Sequence, residues 1–148
     1  MGKYSKQAVK YFYEGYNCAQ AVFLTFALEL GFDKDTALKM SSSFGGGMGR
    51  LREVCGAVSS MFAIAGLKSG YTEPNNDGIK AEHYAKIQSL AEKFLQEHNS
   101  IICRELLELP SGVNSPIPEE RTPEYYNSRP CAKFIETVSR ILEYEYFI

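Results

Sequence analysis

The sequence predicts an all-α fold, and three observations carry that reading. Apolar residues recur at three- and four-residue steps through most of the chain. Capping residues punctuate those stretches, Asn17 and Gly31 among them. No strong strand alternation and no hairpin signal competes with them. With 148 residues, the chain is close to the size of one domain. The expectation is therefore a single-domain bundle of about six or seven helices spanning residues 1–148.

The elements follow in order. Tyr4, Ala8, Tyr11 and Phe12 form the stripe of a first helix that stops near Gly15. Asn17 caps a second helix from Cys18 to about Leu30, with Gly31 as its C-cap. This helix is apolar nearly all round, which places it at the centre. Asp33 or Asp35 opens a third helix that runs to about Ser43. The loop Phe44–Arg50 follows, holding Gly45, Gly46, Gly47 and Gly49. A fourth helix, also apolar on most sides, runs from about Arg52 to Leu67. Ile79–His98 is amphipathic, with Tyr84, Ile87, Ala91, Phe94 and His98 on its apolar face. A short helix is expected over Ile101–Leu109. The proline-rich stretch Pro110–Pro123 reads as an irregular surface loop. The last helix starts near Pro130, with Cys131, Phe134, Ile135, Val138, Ile141 and Leu142 as its stripe.

Composition excludes several function classes. Apolar residues make up 45% and charged residues 23%, a globular composition, and with a net charge of −2 and no basic stripe the sequence argues against a nucleic-acid partner. The N-terminus has no apolar signal region, and no apolar run reaches the roughly 18–20 residues that span a bilayer. The expectation is a soluble, cytoplasmic protein with neither nucleic acid nor membrane as partner.

A reducing cytoplasm changes how four cysteines are read. There they point to metal binding, redox chemistry or buried small hydrophobes rather than structural disulfides. Cys18, Cys55, Cys103 and Cys131 form no Cys-x-x-Cys, so spacing alone favours core cysteines. Their settings point the other way. Cys18 follows the cap Asn17, Cys55 follows the glycine loop, Cys103 follows Asn99-Ser100, and Cys131 follows Pro130. Each lies near an expected helix N-terminus, where unpaired amides and the positive dipole end stabilise thiolate over thiol. Arg52, Arg104 and Arg129 lie close by in sequence.

The glycine loop lacks the preceding strand and the Gly-Lys-Ser/Thr of a phosphate-binding loop. It reads either as a structural turn or as backbone that passes close to a ligand, with amides directed at thiolates or inorganic sulfides. His83 and His98, the acidic pair Glu119-Glu120 and the tyrosines carry no comparable signal.

Five segments occur in order: Tyr16-Asn-Cys-Ala-Gln-Ala-Val22, Phe44-Gly-Gly-Gly-Met-Gly-Arg50, Val54-Cys-Gly-Ala-Val58, Ile102-Cys-Arg-Glu-Leu106 and Cys131-Ala-Lys-Phe134. Together they resemble the C_GCAxxG_C_C family of redox-active proteins. The resemblance covers nearly the whole chain and implies that the family's four cysteines are Cys18, Cys55, Cys103 and Cys131. One position departs from it: the family's Cys-Gly-Ala-x-x-Gly ends here in Ser60.

Three functions remain open at this stage. The first is a metal or iron–sulfur protein with the four cysteines as ligands, engaged in electron transfer with a redox partner protein. The second is a thiol–disulfide redox protein. The third is a helical interaction module, oligomeric or not, with structural zinc or no metal. The sharpest expectation is geometric: the helix starts converge and bring the four cysteines to one site beside Gly45–Gly49.

Overall fold

The computed structural model describes residues 1–112 and 114–148. The helices are α1 (Lys3–Tyr13), α2 (Cys18–Glu29), α3 (Lys34–Ser42), α4 (Gly45–Met48), α5 (Gly56–Ser69), α6 (Asp77–His98), α7 (Cys103–Leu106), α8 (Pro123–Ser128) and α9 (Cys131–Tyr146). Six of these have nine or more residues, and α4, α7 and α8 are short. The fold is all-α, as the spacing predicts.

α2 is central. It packs against α1, α3, α5 and α9, and every residue from Ala21 to Ala27 is buried. Such a helix cannot leave one face to water, because its apolar residues cover the whole circumference. α5 lies against it and buries Val58, Met61, Ile64 and Ala65. α1 and α9 close the other side with Tyr4, Ala8 and Phe12 against Ile135, Val138 and Leu142. Truncating Leu24 or Phe26 to Ala here removes about 2–5 kcal/mol of stability.

Several boundaries differ from expectation. α5 begins at Gly56 rather than near Arg52. The residues before it are not helical: Arg52 has φ +62°, and Val54 forms an antiparallel bridge with Ile102. Cys55 N–H donates to Ile101 O at 2.8 Å, Arg104 N–H donates to Arg52 O at 3.2 Å, and Cys103 N–H also donates to Glu53 O. That pairing joins residues far apart in sequence, so no local signal marks it. The expected helix over Ile101–Leu109 shrinks to Cys103–Leu106, because its first residues are spent on the bridge. Tyr84 is exposed rather than on the inner face of α6, and its hydroxyl bonds that of Tyr71 at 2.7 Å. A short α8 follows the proline-rich stretch, with Thr122 accepting from Tyr125 N–H as its cap.

Candidate functional site

Cys18, Cys103 and Cys131 are the first residues of α2, α7 and α9, and Cys55 is the N-cap of α5. Long-range contacts turn these four starts toward one place. The side chain of Asn17 accepts from Gln20 N–H at 2.9 Å, and its Nδ2 donates to Ser42 O at 3.2 Å. The start of α2 is thereby tied to the end of α3 and to the glycine turn that follows. The Val54–Ile102 bridge sets Cys55 and Cys103 on one face, two positions apart across the pair.

The result is a cavity of about 290 Å³ lined by all four cysteines. Gly45, Gly46 and Gly49 line it too, whereas Gly47 lies beneath. Gly47 has φ +72°, and a Cβ there would stand 2.6 Å from Cys103 Cβ and 2.9 Å from Arg52 Cα. Only glycine lets the turn pass under Cys103. Gly56 is constrained from the other side: its Cβ would lie 2.7 Å from Cys18 Sγ and 2.7 Å from Phe44 O.

The four sulfurs differ in acidity. Cys18 is lowered to about 6, first by the hydrogen bond from the Cys55 thiol, then, against the opposing effect of burial, by the amides of Gly46, Ala57 and Ala19. Cys55 is raised well above the ordinary thiol value, because it donates to that sulfur, is buried and faces its charge. Cys131 is pushed up to about 12, chiefly by burial and then by the charges of Cys18 and Cys103. Burial also raises Cys103, although Arg52 Nη1 donates to its Sγ at 3.6 Å and opposes the rise. Cys18 is thus the more acidic of a mutually interacting pair with Cys55, and Cys103 and Cys131 line the same cavity. No disulfide is present, and the four cysteines are free.

Arginines supply the charge. Arg50, Arg52, Arg121 and Arg129 line the cavity against one carboxylate, Glu119, which is ion-paired with Arg129. The sequence flags Arg52 and Arg129 by proximity to cysteines. Arg104, flagged in the same way, instead bonds Pro110 O and Asn114 Oδ1. Arg121 carries no local signal. It donates to Phe12 O and to Tyr16 O, each at 3.0 Å, and its guanidinium lies 4.7 Å from the Phe12 ring centre and 5.0 Å from that of Tyr125. It straps the proline-rich segment over α1, so that Pro116, Pro118 and Glu119 form part of the wall. Glu119, which carries no signal in the sequence, belongs to the site through this strap. His98 does not; its Nε2 pairs with Thr137 Oγ1 at 2.8 Å.

A family model described as "Putative redox-active protein (C_GCAxxG_C_C)" matches residues 16–144. The chain belongs to this family. The matched span contains all four cysteines, the glycine turn and the arginines of the cavity. No curated protein and no solved structure matches the chain. The family is named for redox activity and for its cysteines. The one departure from its motif has a structural account: Ser60 is buried at the α2–α5 contact, and its hydroxyl donates to Ala19 O at 2.8 Å. Serine fits where glycine would because its added atoms find both space and an acceptor.

Among the described residues, no group of three or more His, Cys, Asp or Glu side chains stands close enough to hold a metal ion. Among the described residues, no helix is long and apolar enough to cross a membrane.

Proposed function

We propose that the protein is a thiol–disulfide redox protein in which Cys18 is the attacking thiolate and Cys55 the resolving thiol. The observation that carries this reading is that Cys18 Sγ lies against the start of α5, 2.7 Å from where a Cβ on Gly56 would stand, so that it shares one cavity with the neighbouring Cys55. Cys18 attacks one sulfur of a disulfide substrate, a mixed disulfide forms, and the other sulfur leaves as thiolate. Capping Cys18 removes the negative charge and the hydrogen-bond acceptor that hold the Cys55 proton. Cys55 then loses its proton to solvent and attacks Cys18 Sγ, releasing the second thiolate and closing a Cys18–Cys55 disulfide. The two steps are thereby ordered: Cys55 stays protonated until Cys18 has reacted. A thiol of the cytoplasm or a redox partner protein returns the pair to the reduced form.

A second reading has its own support. Four thiols around one cavity of about 290 Å³ leave room for an iron–sulfur cluster, with Cys18, Cys55, Cys103 and Cys131 as its ligands. Such a group would supply one-electron transfer, and the Gly46 amide would hydrogen-bond sulfur beside it.

One experiment separates these readings. Protein purified anaerobically is assayed for iron and sulfide, exposed to a small disulfide, and digested without reductant for mass spectrometry. A Cys18–Cys55 linked peptide in metal-free protein is the expected result. Stoichiometric iron and sulfide with visible absorbance would favour the cluster. Stoichiometric zinc with inert thiols would leave the interaction module.

A further inference from the structure

Arg52 is charged, buried to 7% exposure, and lines the same cavity as the sulfurs. Among the described residues, no carboxylate lies within ion-pair distance of it, and its guanidinium donates only to Cys103 Sγ, at 3.6 Å. A guanidinium offers five donors, and burying it without an anion is unfavourable. Its backbone is strained as well: φ is +62° at Arg52 and +65° at Arg50, and both side chains line the cavity. The other cavity arginines are engaged elsewhere. Arg121 holds Phe12 O and Tyr16 O, Arg129 holds Glu119, and Arg50 Nε donates to Ser115 O at 2.8 Å. Among the described residues of the cavity wall, Arg52 is the buried cation with no carboxylate within ion-pair distance, and Glu119 acts on it only from further off.

We propose that the oxidant this site accepts is a small anion containing a sulfur–sulfur bond, held with its negative group against Arg52. The proposal rests on the exchange reading given above. The volume, just below the roughly 300–1,000 Å³ range of ligand pockets, suits a compact anion. Tetrathionate is the probe that fits. The Cys18 thiolate attacks one of its two central sulfurs, giving Cys18–S–S–SO₃⁻ and releasing thiosulfate. The Cys55 thiolate, its proton lost to solvent, then attacks Cys18 Sγ and releases a second thiosulfate. Two electrons leave the cysteine pair and reduce tetrathionate to two thiosulfates. Arg52 holds the sulfonate during attack and stabilises the departing dianion.

The test compares tetrathionate with the neutral 2-hydroxyethyl disulfide at constant ionic strength. The ratio of their rates cancels any change in the nucleophilicity of Cys18. Arg52→Gln should lower that ratio about 10- to 100-fold, the worth of one hydrogen bond to a charged group. In wild-type protein, sulfate at matched ionic strength should slow tetrathionate and leave the neutral disulfide unaffected, which tests the site even where the variant fails to fold. An unchanged ratio in folded Arg52→Gln protein, or no effect of sulfate on the wild type, overturns the assignment of Arg52 while leaving the exchange reading intact. Failure of both reagents to join Cys18 to Cys55 overturns the exchange reading and this inference with it.

Discussion

The two walls of the cavity carry the same residue in the same local position with opposite results. Cys18 opens α2 and Cys131 opens α9, helices of 12 and 16 residues. Both sulfurs therefore sit at the positive end of a helix. Yet Cys18 falls to about 6 while Cys131 rises to about 12. Position at a helix start does not by itself set the acidity of a thiol. The deciding difference is the set of donors from other segments. Cys18 receives the Cys55 thiol from the start of α5 and the Gly46 amide from the glycine turn. Cys131 is acted on chiefly by burial and by the neighbouring sulfur charges, and Arg129 and Arg121 oppose these only in part.

The largest expected effect breaks this comparison directly. At pH 7, iodoacetamide should label Cys18 on the order of a hundredfold faster than Cys131, after allowing for the lower intrinsic nucleophilicity of an acidic thiolate. The rate at Cys18 should fall as pH drops through about 6, because the reactive thiolate exists only above that value. Equal labelling of the two, read by peptide mass spectrometry, would abolish the distinction between the walls.

A smaller effect isolates its cause. Cys55→Ala removes the leading donor to Cys18 and should move the thiolate midpoint, followed by ultraviolet absorbance, upward by about one to two pH units. Cys55→Ser keeps a donor and should retain most of the lowering. If the two variants titrate alike, the hydrogen bond is not the cause.

Gly56→Ala tests the packing behind the same sulfur. Its Cβ would press on Cys18 Sγ and Phe44 O, each at 2.7 Å. Urea unfolding should register a loss of about 1–3 kcal/mol. The smallest effect concerns Ser60. Changing it to the family's glycine should destabilise the chain by about 1–2 kcal/mol, since the bond to Ala19 O is lost and a glycine enters a helix. A more stable Ser60→Gly protein would contradict the role given to that hydroxyl.

Much of the scaffold is legible in the sequence. The apolar circumference of Ala21–Ala27 places α2 at the centre, and Phe134, Ile135, Val138 and Leu142 mark the inner face of α9 at helical steps. Asn17 and Asp33 cap the helices that they precede, because a side-chain oxygen reaches an amide three residues on. The starts before Cys55 and Cys103 are less legible, because the bridge between Val54 and Ile102 takes up residues that local spacing assigns to helices.

What the sequence alone determined is the course of the long helices and that each cysteine stands near a helix start, since capping and 3.6-residue periodicity act over a single turn. Tertiary structure alone decided which thiol meets a second thiol, which arginine is left without a carboxylate, and that Arg121 draws a proline-rich segment over the cavity from 109 positions beyond Phe12. Those outcomes depend on donors and charges brought together from distant parts of the chain. Electrostatic effects at a buried sulfur are set by the few groups within hydrogen-bond reach, whatever their place in the sequence.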